Sequence, residues 1–255
     1  NQEAQKWWVS KSLLNFKKRL SDFNINLEIV KTNSYQTFFD KLFLHKDISI
    51  YWNKVYEPNY LQFDEYLIKN FKKNDIYYKI CKGNILNEIE EVKKNDGTPF
   101  KVFTPFWKNA EEKYLERIPS KITKIKKLNK SFSLIGKSIN PKEILPKKNW
   151  YKKFEKYWDP SEEEAKKYLQ KLIKDKIVNY GETRDFPSID GTSKLSPFLK
   201  HGQIHVETIW SECINIKNKT IGTSKFLAEI GWREFNHMLI NHFPHMLKNN
   251  YSKKF

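Results

Sequence analysis

Cysteine is nearly absent. Cys81 and Cys213 are the only two in 255 residues, too few and too distant for a disulfide scaffold or a cysteine zinc site. No apolar run approaches the roughly 20 residues of a membrane span, so a cytoplasmic protein without membrane contact is expected. No initiator methionine is present, and the chain opens inside a helical pattern from Gln5 to Phe23. It therefore reads as missing its start, and a preceding segment could have carried a targeting signal. Nucleophile and metal motifs are missing as well. There is no G-x-S-x-G, and His237, His242 and His245 form no H-E-x-x-H and meet no cysteine pair, so no metal site is expected. Acids are in deficit too. Thirty Asp and Glu face 47 Lys and Arg, a formal charge of +17. That excess favours an anionic partner such as nucleic acid. Lysine far outnumbers arginine, however, and asparagine and isoleucine abound, a pattern that an AT-rich coding sequence explains equally well.

The length suits one large domain or two smaller ones. Up to about residue 100, short β-rich runs alternate with helical patterns. Leu27–Lys31, the run beginning at Ile48 (ISIYW) and the run beginning at Ile76 (IYYKI) read as strands. The stretches Tyr35–Leu44 and Tyr60–Phe71 read as helices. Such spacing predicts βαβ units and a parallel sheet covered on both faces, a Rossmann-like α/β domain. No G-x-G-x-x-G follows a strand, so the common dinucleotide site is not expected there. KVFTPFWK, Lys101–Lys108, contributes Phe103, Phe106 and Trp107, which read as core packing. The stretch Lys121–Trp150 carries nine lysines and one acid, Glu143, and is broken by Pro141 and Pro146. It reads as a connector between domains. From Ser161 the texture turns helical, with a serine cap, acids in the first turn and lysines later.

Two stretches carry the chemistry. In RDFPSIDGTSKLSPFLKHGQI, Ser196-Pro197 reads as an N-cap with proline at the first helical position. Thr192, Ser193 and Ser196 offer hydroxyls that either suit an anion such as a pyrophosphate or only cap helices. In FLAEIGWREFNHMLINHFP, Thr223 or Ser224 can cap a helix running to the Phe243-Pro244 break. At about 100° per residue, Leu227, Ala228, Gly231, Phe235, Met238 and Leu239 form an apolar face. Phe226, Glu229, Arg233 and Asn236 form an opposite stripe with Trp232 on its border. Glu229 and Arg233, one turn apart, fit either a surface ion pair or a polar ligand held against flat rings.

Together these two motifs, with E-x-x-W-R-E-F in the second, resemble the flavin domain of the photolyase/cryptochrome family, most nearly that of the microbial cyclobutane pyrimidine dimer (deoxyribodipyrimidine) photolyases. The resemblance extends over nearly the whole chain, and KVFTPFWK resembles a family element at the exit of the first domain. It implies an α/β antenna-type domain over residues 1–112 with its first strand missing, a linker over 113–150, and the first part of an all-α FAD-binding domain over 151–255. It implies FAD held by Tyr180, Thr192, Ser193, Lys194, Leu195, Ser196 and Phe226, where Phe226 replaces a frequent tryptophan. It also implies contact with DNA from Arg184, Glu229, Trp232, Arg233 and Asn236. Among these Glu229 would hydrogen-bond the damaged pyrimidines and Trp232 pack against them, the two catalytic positions. The expected activity is light-driven repair of cyclobutane pyrimidine dimers in double-stranded DNA by a monomer, with a fragment inactive by itself. An antenna chromophore, a pterin (methenyltetrahydrofolate) or a deazaflavin, is implied without its identity, because the YEP element starting at Tyr56 matches only partly, with Gln62 and Phe63 where relatives are arginine-rich. Two alternatives remain: a cryptochrome-type blue-light receptor, and a basic, non-enzymatic nucleic-acid-binding protein.

Overall fold

The computed structural model describes residues 3–45, 47–115, 124–134 and 138–251. Its helices are α1 (Glu3–Ser21), α2 (Tyr35–Leu42), α3 (Pro58–Lys73), α4 (Phe103–Leu115), α5 (Glu162–Lys171), α6 (Tyr180–Thr183), α7 (Ser196–Lys200), α8 (Val206–Ile214) and α9 (Ile221–His242). Strands β1 (Ser49–Asn53) and β2 (Tyr77–Cys81) flank α3. The chain separates into two compact units. One gathers Asn1–Thr32, Ser120–Lys176 and Phe186–His205, and the other Asn33–Pro119, Ile177–Asp185 and Val206–Phe255.

The first unit is built on aromatic packing around α1. Trp7 meets Phe154 edge-on at 5.5 Å between ring centroids, and Trp8 meets Phe198 at 5.1 Å and Trp158 at 5.6 Å. Polar groups that would otherwise be stranded are joined through Gln203. Its Oε1 accepts from Trp8 Nε1 at 3.3 Å, and its Nε2 donates to Ser12 Oγ and to the Pro160 carbonyl. Buried Ser10 donates to the Pro141 carbonyl at 2.8 Å. Ser161 caps α5 by accepting from the Glu164 amide, ahead of three acids in the first turn, the arrangement that a helix N-terminus favours.

One expected strand is not formed. Leu27–Lys31 is irregular, because its backbone groups are used elsewhere. The Ile29 amide donates to Ser138 Oγ, and the Ile29 carbonyl accepts from the Ile139 amide, both at 2.9 Å. A segment that satisfies its amides singly against a connector has no ladder to join. Of that lysine-rich connector, residues 116–123 and 135–137 lie outside the described residues.

The second unit holds the βαβ element. β1 and β2 pair in parallel, Ser49 opposite Tyr77 through Asn53 opposite Cys81. Ile50, Trp52 and Tyr78 turn inward onto Leu67 and Phe71 of α3 and onto Phe39 and Phe43. The other face is open, with Tyr51 and Tyr77 61% and 59% exposed, which corrects the expectation of a sheet covered on both sides. The reason is in the strands themselves. Both alternate exposed and half-buried positions, the pattern of a sheet with one covered face.

α9 is the axis of this unit. Its N-cap is Thr220, three residues before the expected start. Thr220 and Thr223 bond reciprocally, each hydroxyl accepting from the other's amide at 3.3 Å. The expected apolar face is buried against α4, apart from half-buried Ala228, and Phe226, Ile230 and Glu234 are buried as well. The contact is close at Gly231, where an added Cβ would lie 2.2 Å from Trp107 Cε3. The helix ends at Phe243-Pro244 as expected, since proline cannot continue it.

Candidate functional site

In the second unit, α6 and α9 bring four of the expected residues together. Tyr180 is buried and meets buried Phe226 edge-to-face, with centroids 5.2 Å apart. Arg184 follows α6 directly. Its guanidinium lies 5.8 Å from the Tyr180 ring and ion-pairs with Glu229 across from it on α9. Its Nε also reaches Asp185 Oδ1 at 3.2 Å. Burial raises the Tyr180 phenol above its ordinary range, partly offset by the charge of Arg184, so the ring faces Phe226 as a neutral phenol.

One turn beyond Glu229, Trp232 is 43% exposed and lies flat against Phe103 of α4, 3.7 Å between centroids and 10° between planes. The Glu229–Arg233 pair is not formed. Arg233 Nη1 instead donates to Glu234 Oε1 at 2.8 Å, and Asn236 is exposed. Proximity along the helix loses here because Arg184 takes Glu229 and a buried carboxylate takes Arg233.

Glu234 is the residue that sequence reasoning passed over. It is 5% exposed, and its Oε2 accepts from the Leu86 amide at 2.7 Å. Burial pushes its carboxyl up to about 7, against the lowering effect of Arg233 and the Leu86 amide. His237, one turn on, is pushed down to about 4 by burial and by the charge of Arg233. Periodicity could have found Glu234, since it lies seven residues after Leu227 and four before Met238, on the buried side.

In the first unit, Thr192 and Ser196 are exposed, Ser193 is half-buried, and Leu195 is 1% exposed and anchors the loop. The Leu195 amide donates to Ser193 Oγ at 3.3 Å. Lys194 has a left-handed backbone, φ +56°, and its ammonium reaches Asp190 Oδ1 at 2.8 Å. Ser196 is not the cap expected for α7. Leu195 holds that position without a side-chain bond, and Ser196 is the first helical residue. Its hydroxyl is thereby left facing solvent. Among the described residues no group of three or more His, Cys, Asp or Glu could hold a metal ion, and no helix is long and apolar enough to cross a membrane.

Residues 1–124 match the family model described as DNA photolyase. A deoxyribodipyrimidine photo-lyase of Agrobacterium fabrum is 28% identical over 254 residues, covering 99% of this chain and 53% of that protein. Cryptochrome-2 of Arabidopsis thaliana is 23% identical over 264 residues, covering 94% of this chain and 42% of that protein. A bacterial class III photolyase from Agrobacterium tumefaciens, known from its crystal structure, superposes with a TM-score of 0.87 at 27% identity, over 99% of this chain and 53% of that one. The chain thus spans about half the length of the curated relatives it matches. Fold, motif and sequence agree in their likeness to the photolyase/cryptochrome family.

Proposed function

We propose that the protein containing this chain repairs cyclobutane pyrimidine dimers in double-stranded DNA under blue or near-ultraviolet light. The observation that carries this is the pairing on α9 of a half-buried carboxylate, Glu229, with an exposed indole, Trp232, one turn away. A lesion taken out of the duplex needs a flat apolar wall and a hydrogen-bond acceptor at its pyrimidine edge. Trp232 supplies the first and Glu229 the second. Extrusion of the target base is a general device of enzymes acting on bases, photolyases among them. Arg184, held beside Glu229, is placed to meet a backbone phosphate, with affinity that falls as salt rises.

FAD, when bound, supplies the absorbed light and the electron that splits the dimer. The donor set fits its diphosphate: exposed Thr192 and Ser196 hydroxyls, Ser193 and the Lys194 ammonium share one loop. Tyr180 and Phe226, the two aromatic positions of the flavin reading, are buried and packed edge to face on each other. Residues 1–112 we take as the antenna-type domain, 113–150 as the connector and 151–255 as the first part of the flavin domain.

Similarity to a plant cryptochrome supports a second reading, a photoreceptor with the same cofactor. Repair of a dimer-containing oligonucleotide under blue light separates the two. In the intact protein, Glu229→Ala is expected to slow repair by about tenfold or more, the scale of one lost charged hydrogen bond. Undamaged-DNA binding should change far less. Unaltered repair in the variant would remove Glu229 from the mechanism.

A further inference from the structure

Asp190, two residues before the Thr192–Ser196 loop, is surrounded by lysines. Its Oδ1 meets Lys194 Nζ at 2.8 Å and Lys176 Nζ at 2.9 Å, and its Oδ2 meets Lys171 Nζ at 3.3 Å. Lys176 also donates to the carbonyl of Thr192 at 3.0 Å, and its side chain is only 9% exposed. It therefore ties the carboxylate and the loop backbone to one buried ammonium.

The backbone that delivers these lysines is irregular. α5 passes at its end into a π-turn, Leu172–Lys176. In a regular α-helix, residues five apart point about 140° away from each other. The i→i+5 bonding of a π-turn stacks such residues instead. Lys171 and Lys176 are five apart, and the widened turn aims both at Asp190. Lys194 arrives from the other side through its left-handed backbone at φ +56°, a conformation uncommon for a residue other than glycine. Lys194 foremost, then Lys176, hold the Asp190 carboxyl well below the usual carboxylate range. Three ammonium groups against one carboxylate leave an excess of positive charge beside the exposed Thr192 and Ser196 hydroxyls.

We propose that Asp190 is a positioning residue for a dinucleotide diphosphate: it gathers Lys171, Lys176 and Lys194 and so fixes the Thr192–Ser196 loop in the shape that receives the phosphates. The inference rests on the flavin reading above and adds the π-turn and its lysines to the site. The sign of one substitution separates positioning from bare charge. Asp190→Ala removes a negative group, so a purely electrostatic role makes FAD bind more tightly. A positioning role makes it bind more weakly.

The test measures FAD and riboflavin affinities of the intact protein by flavin fluorescence, since riboflavin lacks the diphosphate. Asp190→Ala is expected to weaken FAD about tenfold, the scale of one lost charged hydrogen bond, with riboflavin unchanged. Asp190→Glu, which keeps the carboxylate, is expected to recover most of the loss. FAD binding that is unchanged or tighter in Asp190→Ala overturns the inference, as does a parallel loss for both ligands. Intact wild-type protein that binds no FAD defeats the flavin reading itself, and the inference falls with it.

Discussion

Gly231→Ala tests the contact on which the exposed indole of α9 depends. Alanine is the better helix former by about 1 kcal/mol, so on propensity the change should stabilise. The packing opposes it. The new Cβ would lie 2.2 Å from Trp107 Cε3, 2.4 Å from Cζ3 and 2.9 Å from Cδ2, where carbon atoms in contact need about 3.5–4.0 Å. Trp107 has little room to withdraw. Phe103 stacks along one side at 6.2 Å, Trp210 meets it edge-on at 6.0 Å, and Tyr114 closes another side at 6.0 Å. Overpacking in such settings costs about 1–3 kcal/mol, occasionally more, and with the contact this short it should outweigh the propensity gain. We expect a net loss of about 2 kcal/mol, read as a lower urea midpoint at constant slope in a titration of the chain. Trp107→Leu removes the opposing ring, and in that background the same alanine should cost nothing or help, a coupling typical of residues in contact. A single variant as stable as the parent to within about 0.5 kcal/mol would refute the reasoning.

Glu234 and His237 make opposed demands on pH. Glu234 titrates at about 7 in the folded chain against an ordinary 4.5, so its stabilising protonated form is present below 4.5 and lost as pH rises through 7. His237 titrates at about 4 against 6.5, so its contribution grows as pH rises from 4 to 6.5. The two slopes offset each other over their shared window. Glu234→Gln should therefore unmask a rise in stability between pH 4.5 and 6.5, and urea midpoints no steeper than those of the parent would count against it. Thr220→Ala should cost about 1 kcal/mol by opening the reciprocal cap of α9, while Thr220→Ser should cost little. Equal midpoints for the two variants would show that the cap contributes nothing.

What could be read from sequence was whatever one element decides for itself. α2, α3 and α9 follow from apolar spacing, and the two strands that pair follow from β-rich runs separated by a helix. Leu27–Lys31 has the same composition, but composition cannot say that Ser138 Oγ will take the Ile29 amide and the Ile139 amide the Ile29 carbonyl. Sequence offered Thr223 or Ser224 as the cap of α9; the structure uses Thr220, with Thr223 as its reciprocal partner. Charge type hid Glu234, because an acid at a buried position is unfavourable until the Leu86 amide and Arg233 are known to meet it. The Arg184–Glu229 pair spans 45 residues, and the lysines around Asp190 depend on a π-turn that has no signature in residue type. Motif resemblance could name Glu229 and Trp232; the side chains that hold them in place emerge only once separate elements are packed.

The Trp232–Phe103 stack has a geometric consequence. With a phenyl ring pressed on one side, the indole can accept a flat guest only on the other, as the third member of a column. The tilt of that column is set by α4, in the part of the chain ahead of the connector, and not by the helix that carries the tryptophan. A change that rotates Phe103 would alter the angle at which the guest is presented while leaving every residue that touches it unchanged.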